Sequence, residues 1–228
     1  MTDDLATTLR IDGDAAHFVV TTADPVGRER LLHMGWQAIG DGVFDRVLSA
    51  RGDVARIHAT FGRHLRQMVR QSARLEPVRW EIALEEFLGR VDGTGLHWWL
   101  YGSGALAVRG ITVEPGDLDF AVDDAQHAGR IFEDLLVEPV TGPLDWVARW
   151  IGRAFHGALF EWSAEAVAEP PNEFGDWAAR RLEVVEWRGR RIAVPRLEVQ
   201  LEVARRRGLT GTVAAIEGAM RQGPGGAG

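Results

Sequence analysis

The stretch Trp98–Val122, WWLYGSGALAVRGITVEPGDLDFAV, decides how this chain is read. Its first residues are apolar and aromatic and suit a buried strand. That strand runs into Gly102-Ser103-Gly104, where backbone N–H groups can approach an anion without interference from a Cβ. A short helix over Ala105–Arg109 would set its positive end at the same spot. Glu114-Pro115-Gly116 breaks the chain, and Asp117–Val122 (DLDFAV) predicts a second strand. Alternate strand residues share a face, so Asp117 and Asp119 converge on one site while Leu118 and Phe120 turn to the core. Two carboxylates at such close quarters repel unless a cation lies between them. Hard oxygen donors of this type suit Mg2+ or Mn2+ bridging to substrate phosphates. A phosphate cradle beside such a pair is the equipment for phosphoryl or nucleotidyl transfer.

These residues resemble the nucleotidyltransferase superfamily with the DNA polymerase β-like catalytic fold. Its signature is a hydrophobic residue, Gly, then Gly or Ser, a spacer, and Asp-hydrophobic-Asp/Glu-hydrophobic. Tyr101-Gly102-Ser103 and Asp117-Leu118-Asp119-Phe120 match it here. The ALAVRG run inside the spacer is similar to the small bacterial branch, which includes antibiotic and toxin or abortive-infection nucleotidyltransferases. The likeness spans residues 79–222; nothing in residues 1–78 shares it.

The resemblance implies a mixed sheet flanked by helices and a metal-dependent transfer of NMP from an NTP, ATP included, to an acceptor hydroxyl, with pyrophosphate leaving. It implies a Gly102–Ser103 turn on the triphosphate and Asp117 and Asp119 as ligands of Mg2+ or Mn2+. A third carboxylate is expected on a later strand. Glu161 in ALFEWSAE is the candidate, as ligand and base, with Glu165 and Asp145 as runners-up. Arg109 is expected either on the triphosphate or acceptor, or paired with Glu114. The closing segment RLEVQLEVARRRGLTG has Arg205, Arg206 and Arg207 where the family often has lysine, so Arg205 or Arg207 becomes the phosphate contact. The family's later Lys-Asp pair is missing. That departure leaves a second reading, a non-catalytic nucleotide- or partner-binding protein on the same fold.

Composition sets the frame. The chain has 228 residues, 46% hydrophobic and 26% charged, enough for one domain or two small ones with a real core. These fractions exclude disorder, collagen and coiled coil as the dominant state. No apolar run has the length of a membrane span, and MTDDLATTLRIDGD lacks the basic and apolar regions of a signal peptide, so a cytoplasmic protein is expected. Without cysteine there is no disulfide, thiolate metal site or thiol nucleophile. All 26 basic residues are arginine, so any side-chain clamp on a phosphate is a guanidinium. No Walker loop, Gly-x-Ser-x-Gly elbow or His-Glu-x-x-His motif is present.

The N-terminal part reads as a β-α-β-α unit. Strands are expected over residues 17–22 and 43–48, a helix begins at Asp24-Pro25, and a second helix runs from Asp53 to about Leu75. On that second helix Val54, Ile57, Phe61, Leu65 and Met68 share one side; Arg56, Arg63, Arg66, Arg70 and Arg74 share the other. In a chain of net charge -7, this segment alone carries five arginines and no acid. It is either a solvated face or a stripe that tracks a polyanion such as RNA. The acceptor is therefore left as RNA or a small hydroxylated molecule. Beyond Pro77, helices are expected over residues 78–91 and 125–136, strands over 146–155 and 158–165, and a polar loop over 168–177. A hairpin over 182–194 and helices over 196–207 and 211–221 complete the expected order. The class is α+β, with residues 1–78 as an accessory unit, 79–222 as the catalytic domain and 223–228 as a flexible glycine-rich tail.

Overall fold

The computed structural model describes residues 4–145 and 147–222; the expected tail at 223–228 and the expected strand start at Trp146 lie outside the described residues. The N-terminal unit contains β1 (Ala6–Asp12), β2 (Ala15–Thr21), α1 (Pro25–His33), β3 (Gln37–Gly40), β4 (Val43–Ser49) and α2 (Val54–Ser72). Its strands form an antiparallel sheet in the order β1-β2-β4-β3. The expected β-α-β-α order is thus corrected to β-β-α-β-β-α. The two strands that the sequence reading missed lie at the sheet edges. β3 is exposed throughout and β1 is at most half-buried, so neither shows the apolar alternation that betrays a strand. β2 does show it, with Ala16, Phe18 and Val20 buried at alternate positions.

Both helix starts follow their caps. The Asp24 side chain accepts from Gly27 N at 2.9 Å, and Asp53 accepts from Arg56 N at 3.1 Å. The α2 face with Val54, Ile57, Phe61, Leu65 and Met68 is buried. The helix ends at Ser72; Arg74 lies beyond it in the left-handed region, at φ 57°.

The second unit opens with α3 (Trp80–Val91), β5 (Trp98–Tyr101), α4 (Gly102–Ala107) and β6 (Leu118–Val122). Gly102-Ser103-Gly104 is the first turn of α4 rather than a separate loop. Next come α5 (Ala125–Ile131), β7 (Leu136–Thr141), β8 (Ala148–His156) and β9 (Ala158–Ala166). The expected helix over 125–136 therefore stops early, and its last residue begins β7. The chain closes with α6 (Asp176–Ala179), the hairpin β10 (Leu182–Trp187) and β11 (Arg190–Pro195), then α7 (Leu197–Arg206) and α8 (Thr210–Gln222).

The central sheet has the order β5-β6-β9-β8-β7, with β6 and β9 parallel and the other neighbours antiparallel. The fold is α+β with a mixed sheet. Phe87 of α3 stacks on Phe120 of β6 with ring centroids 3.6 Å apart, and Phe132, Phe160 and Trp162 extend the same core. Fully burying each such ring removes enough apolar surface for about 2–3 kcal/mol. The core is continuous into the N-terminal unit, whose α2 lies against β7. Among the described residues no helix is long and apolar enough to cross a membrane.

Candidate active site

β6 and β9 place the acids. Asp119 of β6 stands opposite Glu161 of β9 in parallel register, with Tyr101 of β5 on its other side. Asp117 lies one residue before β6, and the loop through Gly116 delivers it to the same end of the sheet. Leu118 and Phe120 point the other way and are fully buried. Burial raises the Asp117 pKa to about 6, and the neighbouring Glu161 charge adds to the effect against Arg153 and Arg74. Burial likewise pushes Asp119 well above the usual carboxylate range, helped by Asp117 and Glu161. These are carboxylates crowded in a low-dielectric place with too little positive charge of the chain's own.

Gly102 has φ 65°, and a Cβ built on it would lie 2.7 Å from Asp119 Oδ2. Only glycine lets α4 begin against that carboxylate. The Gly102 N–H is already engaged, however: it donates to Glu173 Oε2 at 2.9 Å. Gln200 Nε2 of α7 donates to the same oxygen at 2.9 Å and to Gly102 O at 3.0 Å, and Trp99 Nε1 donates to Glu173 O at 2.8 Å. The segment before α6, expected to be an ordinary polar loop, thus puts a buried acid onto the cradle. Burial raises the Glu173 pKa, against its hydrogen bonds from Gly102 and Gln200. No spacing rule links this acid to a glycine 71 positions earlier.

Ser103, Asp117, Asp119, Glu173, Gln200 and Arg207 line a cavity of about 550 Å³. The Arg207 charge acts on both Asp119 and Glu173. Arg205 does not join them, because it ion-pairs with Glu217 of α8 at 2.6 Å. Arg109 is corrected too. Its side chain is 7% exposed and ion-pairs with Glu183 rather than Glu114, at 2.7 Å. It also donates to Ala105 O, Gln200 Oε1 and Pro195 O. Through these contacts Arg109 ties α4 to the hairpin and α7.

Glu161 begins a chain of charges that leaves the site. Its Oε2 accepts from Arg153 Nε at 2.7 Å, and Arg153 Nη1 donates to Glu138 Oε2 at 2.8 Å. Glu138 Oε1 stands 3.2 Å from Nε of Arg46, in β4 of the N-terminal unit. Burial alone would raise the Glu138 pKa; Arg153 and Arg46 overcome it and hold the group below its ordinary value. The runners-up lie elsewhere: Glu165 is exposed and pairs with Arg149, and Asp145 lies in the connection before β8.

A second cavity, of about 760 Å³, lies beside the first and shares Asp117 and Arg207 with it. Glu161, Glu138 and Arg153 line it on the sheet side, and α1, β4 and α2 close it from the N-terminal unit. The arginine stripe is broken up. Arg56 meets Asp53 and Glu133, Arg63 donates to Thr60, and Arg70 pairs with Glu76. Arg66 stays on the exposed side of α2. Arg74 turns off the helix end and donates to the carbonyls of Glu114 and Pro115, beside Asp117.

Among the described residues no three His, Asp or Glu side chains form a ready-made metal cage. Mg2+ seldom needs one, since it is commonly held by one or two carboxylates together with substrate phosphates and water. The crowded Asp117 and Asp119, at the edge of a cavity that also holds Ser103 and Arg207, have the donor chemistry for that arrangement.

No protein-family model and no curated protein matches the chain. Solved structures do. A Thermotoga maritima protein, a nucleotidyltransferase candidate, is 18% identical with a TM-score of 0.46, over 61% of this chain and 91% of that one. The lincosamide antibiotic adenylyltransferase LnuA, with lincomycin bound, is 13% identical with a TM-score of 0.45, over 62% and 98% of the two chains. ANT(2'')-Ia in complex with adenylyl-2''-tobramycin is 15% identical with a TM-score of 0.42, over 61% and 89%.

Proposed function

We propose that the protein is a metal-dependent nucleotidyltransferase that moves an NMP from an NTP to a hydroxyl of a small molecule and releases pyrophosphate. The observation that carries this reading is the parallel register of Asp119 and Glu161, beside Asp117 and at the edge of the cavity lined by Gly102 and Ser103. The triphosphate lies in that cavity. Ser103 and Arg207 meet its phosphates, while Gly102 serves by its conformation, its own N–H being held by Glu173. Asp117 and Asp119 would hold Mg2+ or Mn2+, which supplies positive charge against the charge developing on the phosphates. Glu161, oriented by Arg153, takes the proton of the acceptor hydroxyl. Arg207 stands where it neutralises the departing pyrophosphate.

A small acceptor suits the neighbouring cavity, whose volume falls in the range of small-molecule sites. The RNA reading loses ground because three members of the arginine stripe bind groups of their own chain and a fourth leaves the helix. The test is Mn2+-dependent transfer of label from the four NTPs, run with total cell RNA and with a metabolite extract. Label should enter the metabolite fraction, and Asp119→Ala should abolish it with an unchanged circular dichroism spectrum. Full activity in a folded Asp119→Ala protein refutes the mechanism.

A further inference from the structure

Building on that reading, we propose that the N-terminal unit forms the acceptor pocket and that the acceptor carries an acidic group, carboxylate or phosphate, at a distance from its reacting hydroxyl. The larger cavity meets the nucleotide cavity at Asp117 and Arg207, and Glu161 lines it as well. A molecule seated there presents its hydroxyl to the proposed base and the proposed metal ligands at once.

The charge of the walls identifies the molecule. The N-terminal unit contributes Arg30, His33, Arg46 and Arg74 to the lining and not one acid. Its uncharged contributions are the apolar Met34, Trp36, Phe61 and Met68 and the polar Gln71 and Ser72. All the acids come from the sheet side. Two of those are the reacting carboxylates Asp117 and Glu161; the third, Glu138, is neutralised between Arg46 and Arg153. A polycation would therefore lie against guanidinium groups, and the acids within its reach are the ones assigned to the metal and to the base. A negative group finds Arg30, which among the described residues ion-pairs with its exposed chain neighbour Glu29, and Arg74, which donates to backbone carbonyls. Guanidinium matches carboxylate and phosphate with two parallel hydrogen bonds, which fixes orientation as well as charge. The apolar residues between take the carbon skeleton.

The test uses the full chain with Mn2+ and labelled NTP. Three acceptor sets of similar size are offered: sugar acids and sugar phosphates, neutral sugars and nucleosides, and the polycationic aminoglycoside tobramycin. Label should pass to the acidic set with kcat/KM at least about tenfold above the neutral set, as expected when a charged pair is lost. Arg30→Glu should raise KM for the acidic acceptor about tenfold with kcat held, and Arg30→Lys should restore most of it. A preference for tobramycin or the neutral set, or a KM indifferent to Arg30→Glu, overturns the proposal. Binding of a fluorescent nucleotide, measured alongside, separates the failures. Nucleotide bound with no label on any set overturns the acceptor assignment; no nucleotide bound overturns the nucleotidyl reading beneath it.

Discussion

Asp119 and Glu161 are direct partners in the parallel register of β6 and β9, although 42 positions of chain and three structural elements separate them. Same-face partners on adjacent strands lie about 5 Å apart, close enough to act on one substrate, and the Glu161 charge adds to the burial that raises the proton affinity of Asp119. Glu161→Gln keeps the size of the side chain and removes its basicity. It should lower kcat by about 10²–10³-fold, the range for a lost general base, with nucleotide affinity retained. Glu165→Gln, on the exposed end of the same strand, should leave kcat near wild type. Steady-state kinetics of the two variants side by side decide which acid serves.

Asp117 supplies a prediction about stability. Its folded-state pKa of about 6 lies above the ordinary 3.8. The folded chain therefore holds a proton that the unfolded chain releases between those values. The stability linked to this group is present below about pH 4 and is lost as pH rises through about 6. Asp117→Asn should stabilise the metal-free protein by roughly 1–3 kcal/mol at pH 7–8, discounted for the partly open cavity, and by nothing at pH 4. Urea unfolding of both proteins at the two pH values measures it. Equal differences at both would show that burial and the neighbouring Glu161 charge do not raise the Asp117 pKa.

Gly102 combines two constraints that can be separated. At φ 65° any Cβ is strained, and here it would also lie 2.7 Å from Asp119 Oδ2. Gly110 has φ 78° with open space around it. Gly110→Ala should cost about 1 kcal/mol from backbone strain alone, with activity retained. Gly102→Ala should cost more and should abolish transfer, since Asp119 must move. Thermal unfolding together with the transfer assay distinguishes the two effects.

Glu173 places a negative charge on the amide that sequence reasoning assigned to a phosphate. Glu173→Gln keeps an acceptor for Gly102 and removes the charge. Nucleotide binding at neutral pH should tighten about three- to tenfold, equivalent to as much as about 1.4 kcal/mol of relieved repulsion. Because burial raises the Glu173 pKa, the wild-type affinity should approach that of the variant as pH falls. A fluorescent nucleotide titrated across pH reads this directly, and looser binding in Glu173→Gln would show that the carboxylate holds the cradle in shape instead.

What could be read from the sequence was local. Gly102-Ser103 and Asp117-Leu118-Asp119 lie within one strand-turn-strand segment, and their spacing carries their geometry. Glu161 was legible because ALFEWSAE alternates, which fixes which residues share a face. Arg109 was misread because the sequence offers Glu114 nearby, whereas the fold brings Glu183 from the hairpin. Glu173 and Glu138 gave no signal: the first sits in a loop whose docking depends on Trp99 and Gln200, the second on a strand to which the sequence assigns no element beyond Leu136. The accessory unit was half legible. Buried strands announce themselves by alternation, and edge strands with little buried surface do not.

Glu138 yields the last prediction, because it joins the two units. It is 9% exposed and sits between Arg153 and Arg46, and through Arg153 it bears on Glu161. A buried pair broken by removing one partner leaves an uncompensated charge, whereas removing both partners of similar volume is far milder. Glu138→Gln should therefore cost about 3–5 kcal/mol, leaving two guanidinium groups with one carboxylate between them. Arg46→Met alone should cost less, since Glu138 keeps Arg153. Adding Arg46→Met to Glu138→Gln should recover part of the loss, as it removes one of the stranded cations. The coupling energy from urea unfolding of the four proteins in the cycle measures this. Activity provides the second readout. If the chain of charges positions Glu161, Arg46→Met should lower kcat, and its pH–rate profile should shift on the side that reports the base, whereas loss of an acceptor contact alone would raise KM. A coupling energy near zero would mean that the Arg46–Glu138 pair adds nothing to the hold between the two units.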